Sequence, residues 1–132
     1  MRDVEGKVAF ITAGASGIGY GMARAFMNAG MKVVVADILQ QHLDEVASQH
    51  PGANNLHLIK LDVANREAMA QAADETERVF GKVHVLCNNA GVASRGVIDE
   101  VLTMWPPSPW ALILGRKLTR PLTVPPTQTP IT

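Results

Sequence analysis

The chain has little of several residue types that would point to particular protein classes. Its 132 residues include one cysteine, Cys87, so an internal disulfide is excluded and a reducing compartment is expected. Aromatic residues make up only 5% and the formal net charge is zero, so charge gives no indication of a nucleic-acid or membrane partner. No long apolar run occurs at the start, because the first one breaks at Gly14, which is too early for a signal peptide or a membrane span. These absences favour a cytoplasmic protein with one modest domain.

Apolar runs typical of strands alternate with longer helical patterns over the first hundred residues. The runs predict strands at 7–13, 32–37, 56–62 and 83–88. Helical spacing between them predicts helices that start at Gly17, near Leu39 and after the N-cap residue Asn65. Strands alternating with helices of this length indicate βαβ units, so the predicted fold is α/β with a doubly wound parallel sheet.

The same spacing predicts which side chains of two helices face the sheet. On the first helix these are Ile18, Met22, Ala25, Phe26 and Ala29. On the third helix they are Ala68, Ala72, Thr76, Val79 and Phe80. The β-branched run at 32–37 is predicted to be buried on both faces of the sheet.

The character of the sequence changes near Leu102. Seven of the eight prolines fall between Pro106 and Pro130, and no helical or strand period continues across them. We therefore expect a nucleotide-binding half domain at 1–101 and an irregular or disordered tail, rich in proline and threonine, at 102–132.

A glycine-rich turn lies between the first strand and the first helix. Gly14, Gly17 and Gly19 suit a dinucleotide, because glycine permits positive φ and lets the backbone approach a pyrophosphate. The free N–H groups and the positive end of the helix dipole would then hold the phosphates. The same turn could equally belong to an α/β protein that binds no nucleotide.

Asp37 ends the second strand, twenty residues after Gly17. A carboxylate at this position can accept a hydrogen bond from a ribose 2′-hydroxyl and repel a 2′-phosphate, which favours NAD over NADP. The alternative is a capping or turn role before the second helix. The position and the spacing favour the cofactor role.

Four elements together resemble the short-chain dehydrogenase/reductase family over residues 5 to about 100. Residues 12–19 look like its Thr-Gly-x-x-x-Gly-x-Gly motif, Asp62 and Val63 like its Asp-Val pair, and 88–91 are its Asn-Asn-Ala-Gly sequence. The resemblance implies a Rossmann-like sheet, truncated to the strand order 3-2-1-4, and NAD-dependent hydride transfer between an alcohol and a ketone. It implies that Asp62 meets the adenine amino group and that the Asn-Asn-Ala-Gly sequence steadies the sheet beside the adenosine ribose. The candidate cofactor-binding residues are Thr12, Gly14, Ser16, Gly17, Ile18, Gly19, Asp37, Asp62, Val63, Asn89, Ala90 and Gly91.

One position in the glycine-rich turn departs from the family pattern. Ala13 stands where the first glycine of the motif usually lies. Its methyl group could crowd the turn, or the neighbouring Gly14 could supply the backbone freedom. The change is expected to weaken binding without abolishing it.

The catalytic serine, tyrosine and lysine of the family have no counterpart in these 132 residues. The only tyrosine, Tyr20, lies in the helix after the glycine-rich turn, and Arg24 stands four residues later where the family has lysine. The alternative to a short-chain oxidoreductase is therefore a non-catalytic nucleotide-binding fragment or remnant, the product of truncation or a frameshift. In either case the isolated chain is expected to be inactive, and its fourth strand would be an open edge suited to self-association.

The remaining candidates for chemistry are weaker. The histidines do not have the spacing of metal ligands, so packing or surface roles are expected for His42, His50, His57 and His84. Cys87 lies in an apolar run and is expected to be a small core residue.

Overall fold

A computed structural model describes residues 3–91 of the chain. Its elements in chain order are β1 (Val8–Thr12), α1 (Gly17–Asn28), β2 (Lys32–Asp37), α2 (Gln40–Gln49), β3 (Leu56–Lys60), α3 (Arg66–Phe80) and β4 (Val85–Cys87). The element types follow the prediction, although β1, β3 and β4 are shorter than their apolar runs. The tail predicted at 102–132 lies outside the described residues.

The four strands form one parallel sheet in the order β3-β2-β1-β4. In β1, Phe10 pairs with Val34 on one side and with Leu86 on the other. This topology confirms the Rossmann-like, doubly wound arrangement. Because the strands are parallel, the carboxyl ends of β1, β2 and β4 lie at the same edge of the sheet, where a ligand of such a fold binds.

The core consists of two apolar clusters on opposite faces of the sheet, because successive strand residues point in opposite directions. The cluster under α1 and α2 contains Ala9, Ile11, Ala23, Val33, Val35, Leu43 and Val46 among its buried residues. The cluster under α3 contains Phe10, Val34, Ala36, Ile59, Leu61, Met69 and Ala72. Every position of β2 after Lys32 is buried, as the β-branched run predicts.

The inward face of α1 agrees with the prediction at Met22 and Phe26, which are half-buried against the cluster under α1 and α2, and differs at the other three positions. Ile18 is 79% exposed, and Ala25 and Ala29 are exposed as well, whereas Gly19 and Ala23 are buried. Small residues therefore occupy the closest approach of the helix to the sheet. The spacing of large apolar residues does not reveal such a contact, because close packing of a helix on a sheet requires small side chains.

The predicted inward face of α3 is correct at four of its five positions, since Ala68 and Phe80 are half-buried against the cluster under α3, and it is wrong at one. Ala72 and Thr76 are buried as predicted, but Val79 is 41% exposed, and Met69 is buried although it was outside the predicted set. Asn65 caps this helix as predicted, since its Oδ1 accepts a hydrogen bond from the amide of Ala68 at 3.0 Å. Across residues 3–91, no helix has the length and apolar character needed to cross a membrane.

Candidate functional site

The hydroxyl group of Thr12 joins the carboxyl ends of β1 and β4. It donates to the carbonyl oxygen of Cys87 at 3.3 Å and accepts from the amides of Asn89 and Ala90 at 3.1 and 3.0 Å. A threonine hydroxyl offers one donor and two acceptor positions, so all three are used. Thr12 therefore shapes this edge of the sheet, and its hydroxyl has no hydrogen-bonding capacity left for a ligand.

The side-chain amide of Asn89 fixes the turn that follows β1. Its Nδ2 donates to the carbonyl oxygens of Thr12 and Ala13 at 3.2 and 3.1 Å. The segment after β4 thus holds both the end of β1 and the first residue of the glycine-rich turn. This contact accords with the supporting role that the family resemblance implies for the Asn-Asn-Ala-Gly sequence.

Ala13 itself adopts the left-handed conformation, with φ of +49°. Gly14 is not in that region, so of the two alternatives left open by the sequence, the one in which Gly14 supplies the backbone freedom is wrong. A Cβ at Gly14 would lie 3.0 Å from the carbonyl oxygen of Ile11 and 3.2 Å from Cγ1 of Val35. Gly14 is therefore required for close packing, and the conformational cost of the turn falls on Ala13.

The other two glycines of the turn have different roles. Gly17 begins α1 with φ of +52°, and a Cβ there would meet no atom within 4 Å. A Cβ at Gly19 would overlap the carbonyl oxygen of Ala13 and lie 2.7 Å from Nδ2 of Asn89. Gly17 is thus needed for its backbone conformation, and Gly19 allows α1 to pack against the turn.

The amino-terminal end of α1 is open to an anion. Ser16 is the N-cap residue, but its side chain makes no capping hydrogen bond, and no acidic residue lies in the first turn. Ser16, Gly17 and Ile18 are exposed. In α3, by contrast, the Asn65 side chain caps the helix and Glu67 lies in its first turn. The first N–H groups of α1 and its positive dipole end are therefore available to phosphate oxygens.

The carboxylate of Asp37 is held by two backbone amides. Oδ2 accepts from Ala15 in the glycine-rich turn at 3.2 Å, and Oδ1 accepts from Leu39 at 3.1 Å. The turn role considered for Asp37 is therefore present, while the N-cap position of α2 belongs to Leu39. A carboxylate has about four acceptor positions, so about two remain for hydroxyl donors. Asp37 is 5% exposed, which leaves it only a narrow opening.

The residues after β3 lie at the same edge of the sheet but are less constrained. Asp62 is exposed, and its Oδ1 accepts from the amide of Ala64 at 2.9 Å. Val63 packs against the cluster under α3. Ile38 and Leu39, directly after Asp37, are 55% and 52% exposed. Sequence reasoning did not select these two, although large apolar residues between a strand end and a helix start could have indicated an apolar surface beside Asp37.

Each histidine has a contact within the protein. His42 lies near Asp37, His50 bonds to Tyr20, His57 bonds to Glu75, and Nδ1 of His84 accepts from the amide of Val8. No cluster of three metal-ligating side chains occurs in the part of the chain that the structure describes. Cys87 is partly buried, and this burial raises the pKa of its thiol.

The site offers two chemically distinct features at one edge of the sheet. Amide donors at the start of α1 can bind phosphate oxygens, and the Asp37 carboxylate can accept from hydroxyl groups. An anionic ligand that also carries a diol, as a dinucleotide does, matches both features. The residues present therefore fit such a cofactor.

Comparisons with known proteins agree with this arrangement. The family described as short chain dehydrogenase matches residues 7–104. A C alpha-dehydrogenase of Sphingobium sp. (strain NBRC 103272 / SYK-6) is 46% identical over 102 residues, which cover 76% of this chain and 33% of the relative. A secoisolariciresinol dehydrogenase of Forsythia intermedia is 40% identical over 92 residues, which cover 70% of this chain and 33% of that protein. The matched part of the chain thus spans about one third of the length of these relatives.

A solved structure gives the same result for the fold. The crystal structure of a short chain dehydrogenase/reductase from Burkholderia phymatum in complex with NAD superimposes with a TM-score of 0.67 at 37% identity. The match covers 76% of this chain and 36% of that one. The family match extends over more than half of the chain, and the sheet has the strand order that the resemblance implies. The chain belongs to the short-chain dehydrogenase family.

Proposed function

We propose that the chain forms the dinucleotide-binding part of an NAD-dependent oxidoreductase that acts on an alcohol or a ketone. The observation that carries this proposal is the 3.2 Å hydrogen bond from the amide of Ala15 to Oδ2 of Asp37. This hydrogen bond holds the Asp37 carboxylate, the proposed acceptor for the ribose hydroxyl, next to the glycine-rich turn that would bind the phosphates. Bound NAD would supply the hydride exchange, and the residues of this chain would bind and orient it.

The proposed contacts divide the cofactor among three groups of residues. The amides at the start of α1, in Ser16, Gly17, Ile18 and Gly19, would hold the phosphates. Asp37 would accept from the adenosine ribose, with Asn89, Ala90 and Gly91 beside it. Asp62 and Val63 would meet the adenine. Thr12 and Gly14 would act through the shape of the turn, because the hydroxyl of Thr12 is already saturated and Gly14 is closely packed.

We propose NAD in preference to NADP because of the environment of Asp37. The carboxylate is buried and held by two amides, so it cannot turn away from a 2′-phosphate. Repulsion between two negative charges is strong where little water separates them. We expect NADP to bind at least about tenfold more weakly than NAD, which corresponds to about 1.4 kcal/mol.

Calorimetry with NAD and NADP on the 132-residue chain and two variants tests this proposal. Asp37→Ala should lower the ratio of the NADP to the NAD dissociation constant. Partial unfolding of this variant would weaken the binding of NAD and NADP equally, so the ratio of their dissociation constants reports on the ribose contact alone. Asp62→Ala is the matched control, because both cofactors carry the same adenine, and its ratio should stay unchanged. Absence of NAD binding by the folded wild-type chain would overturn the proposal.

A second measurement separates the oxidoreductase from a non-catalytic binding fragment. The 132 residues contain one tyrosine, Tyr20, and no Tyr-x-x-x-Lys sequence. We propose that this polypeptide alone binds NAD without oxidising alcohols. Purified chain, NAD and a panel of secondary alcohols should therefore give no absorbance of reduced cofactor. Steady turnover would contradict this part of the proposal and would require catalytic groups outside the family's pattern.

We also propose a cytoplasmic location, which the single cysteine favours.

A further proposal is self-association through β4. In residues 3–91, β4 pairs with β1 on one side and has no strand on its other side, and its three residues are half-buried. An unpaired strand edge of this kind favours pairing with another chain. Sedimentation at increasing protein concentration should then show dimers, and a single monomeric species at all concentrations would contradict the association.

A further inference from the structure

We propose that His42 is a second determinant of cofactor choice, a role that rests on the NAD site proposed above. His42 lies in the first turn of α2, and its Nδ1 is 3.8 Å from Oδ1 of Asp37. The His42 side chain is 32% exposed, while that of Asp37 is 5% exposed. The imidazole is therefore more open to solvent than the carboxylate beside it, which is the group proposed to discriminate against a 2′-phosphate.

The carboxylate has a fixed position in this pair. The amide of Leu39 holds Oδ1 at 3.1 Å and the amide of Ala15 holds Oδ2 at 3.2 Å. Because Asp37 cannot move toward or away from the ring, the charge on His42 alone changes the local field. A neutral imidazole leaves the full repulsion against a 2′-phosphate, and a positive charge on the ring weakens it.

Within residues 3–91, the one ion pair that the ring can form is with Asp37. Across residues 3–91, Asp37 is the carboxylate within 4.0 Å of a His42 ring nitrogen. On the same helix, Glu45 lies one turn further on, and its Oε1 accepts from Gln41 at 3.4 Å. On the neighbouring strand, Lys60 at the end of β3 and Asp62 beyond it are both exposed, so water screens their charges.

The consequence is a cofactor preference that depends on pH. At about pH 8 most histidines are neutral, and the ratio of the NADP to the NAD dissociation constant should be high. A positive charge on residue 42 should lower this ratio by about three- to tenfold. The 2′-phosphate also takes up a proton near pH 6, which lowers the ratio in every variant alike. The contribution of His42 is therefore the difference between the change of the ratio in the wild type and the change in a variant that lacks this histidine.

Calorimetric titrations of NAD and NADP at both pH values, with the 132-residue chain and three variants, test the proposal. In His42→Gln, the ratio of the NADP to the NAD dissociation constant should fall less between about pH 8 and about pH 6 than it does in the wild type. His42→Arg should show a low ratio at both pH values, because its charge is permanent. His50→Gln is the matched control, since His50 is also a half-buried histidine but bonds to Tyr20 on α1. It should behave as the wild type.

Each outcome decides the proposal. An equal change of the ratio with pH in the wild type and in His42→Gln, together with a high ratio in His42→Arg, would overturn the role of His42 while leaving the NAD site intact. Absence of NAD binding at both pH values would overturn the proposed function and this inference with it. If His42→Gln does not fold, the ratio in His42→Arg decides, because a wild-type-like ratio at about pH 8 is incompatible with the proposal.

Discussion

The side-chain amide of Asn89 donates to the carbonyl oxygen of Ala13 at 3.1 Å, across the gap between the end of β4 and the glycine-rich turn. Gly19 of α1 lies against the same two groups, because a Cβ there would overlap the carbonyl oxygen of Ala13 and approach Nδ2 of Asn89 to 2.7 Å. A strand end, a turn and a helix therefore meet at one point. The shape of the candidate phosphate site depends on this contact.

The first prediction concerns Gly19. Gly19→Ala should destabilise the fold by about 1–3 kcal/mol, because an overpacked methyl group has to displace backbone. It should also weaken NAD binding, since α1 shifts relative to the turn. Urea unfolding and calorimetry measure the two effects.

Gly21→Ala in the same helix is the control for Gly19→Ala. A Cβ at Gly21 would meet no atom within 4 Å. Alanine is favoured over glycine in a helix interior by about 1 kcal/mol, so this variant should be more stable and bind NAD as the wild type does. Equal stability of the two variants would show that α1 does not pack against the turn as described.

The second prediction concerns the left-handed backbone of Ala13. Its φ of +49° costs an L-residue about 1–2 kcal/mol. Ala13→Gly removes this cost but adds about 0.4–1 kcal/mol of conformational freedom to the unfolded chain. The variant should therefore be more stable by about 0.5–1 kcal/mol, and it should bind NAD more tightly because the turn is less strained.

The reverse change at Gly17 provides the comparison for Ala13→Gly. Gly17 has φ of +52°, and an added methyl group would meet no atom within 4 Å, so only the backbone conformation is affected. Gly17→Ala should lower the free energy of unfolding by about 1 kcal/mol. Loss of stability in Ala13→Gly would mean that residue 13 is not left-handed in solution.

Much of the site could be predicted because its main features are local in sequence. The glycine-rich turn and Asp37 at the end of β2 are recognised by spacing alone, and parallel strands bring their ends to one edge of the sheet. The cap of α3 by Asn65 is also local, since it involves an amide three residues away. Such features depend on the backbone path and hardly on side-chain packing.

Contacts between distant segments could not be predicted in the same way. The saturation of the Thr12 hydroxyl depends on residues 75 to 78 positions later, and the proximity of His42 to Asp37 depends on how α2 begins. The sequence left open whether the methyl group of Ala13 crowds the turn or Gly14 supplies the backbone freedom, and the structure has the left-handed conformation at Ala13 and close packing at Gly14. Spacing gives no information about such packing.

The third prediction concerns the hydroxyl group of Thr12. Thr12→Val keeps the shape of the side chain but removes the acceptor of the Ala90 amide, while the amide of Asn89 keeps a second acceptor, the carbonyl oxygen of Cys87 at 3.0 Å. The variant loses the acceptor of the half-buried Ala90 amide and the hydroxyl's own bond to Cys87, so its stability should fall by about 1–3 kcal/mol. Thr12→Ser keeps the hydroxyl and should lose less than about 1.5 kcal/mol, for the missing methyl group. Equal losses in chemical unfolding would show that the hydroxyl does not join β1 to β4.

The fourth prediction concerns His84, which begins the pairing of β4 with β1. Its amide donates to the carbonyl oxygen of Val8 at 2.9 Å, and its Nδ1 accepts from the amide of Val8 at 3.0 Å. Val8 is buried but His84 is exposed, so in His84→Ala water replaces the ring as the partner of the Val8 amide, and stability should fall by about 1 kcal/mol. His84→Asn is the matched variant, because its Oδ1 lies at about the same distance along the side chain as Nδ1 and can accept the same bond. This variant should retain most of the stability, and hydrogen exchange at Val8 should be fast in the alanine variant and slow in the asparagine variant. Similar exchange in both would mean that the ring does not accept from Val8, and that β4 is joined to β1 by its backbone and by Thr12 alone.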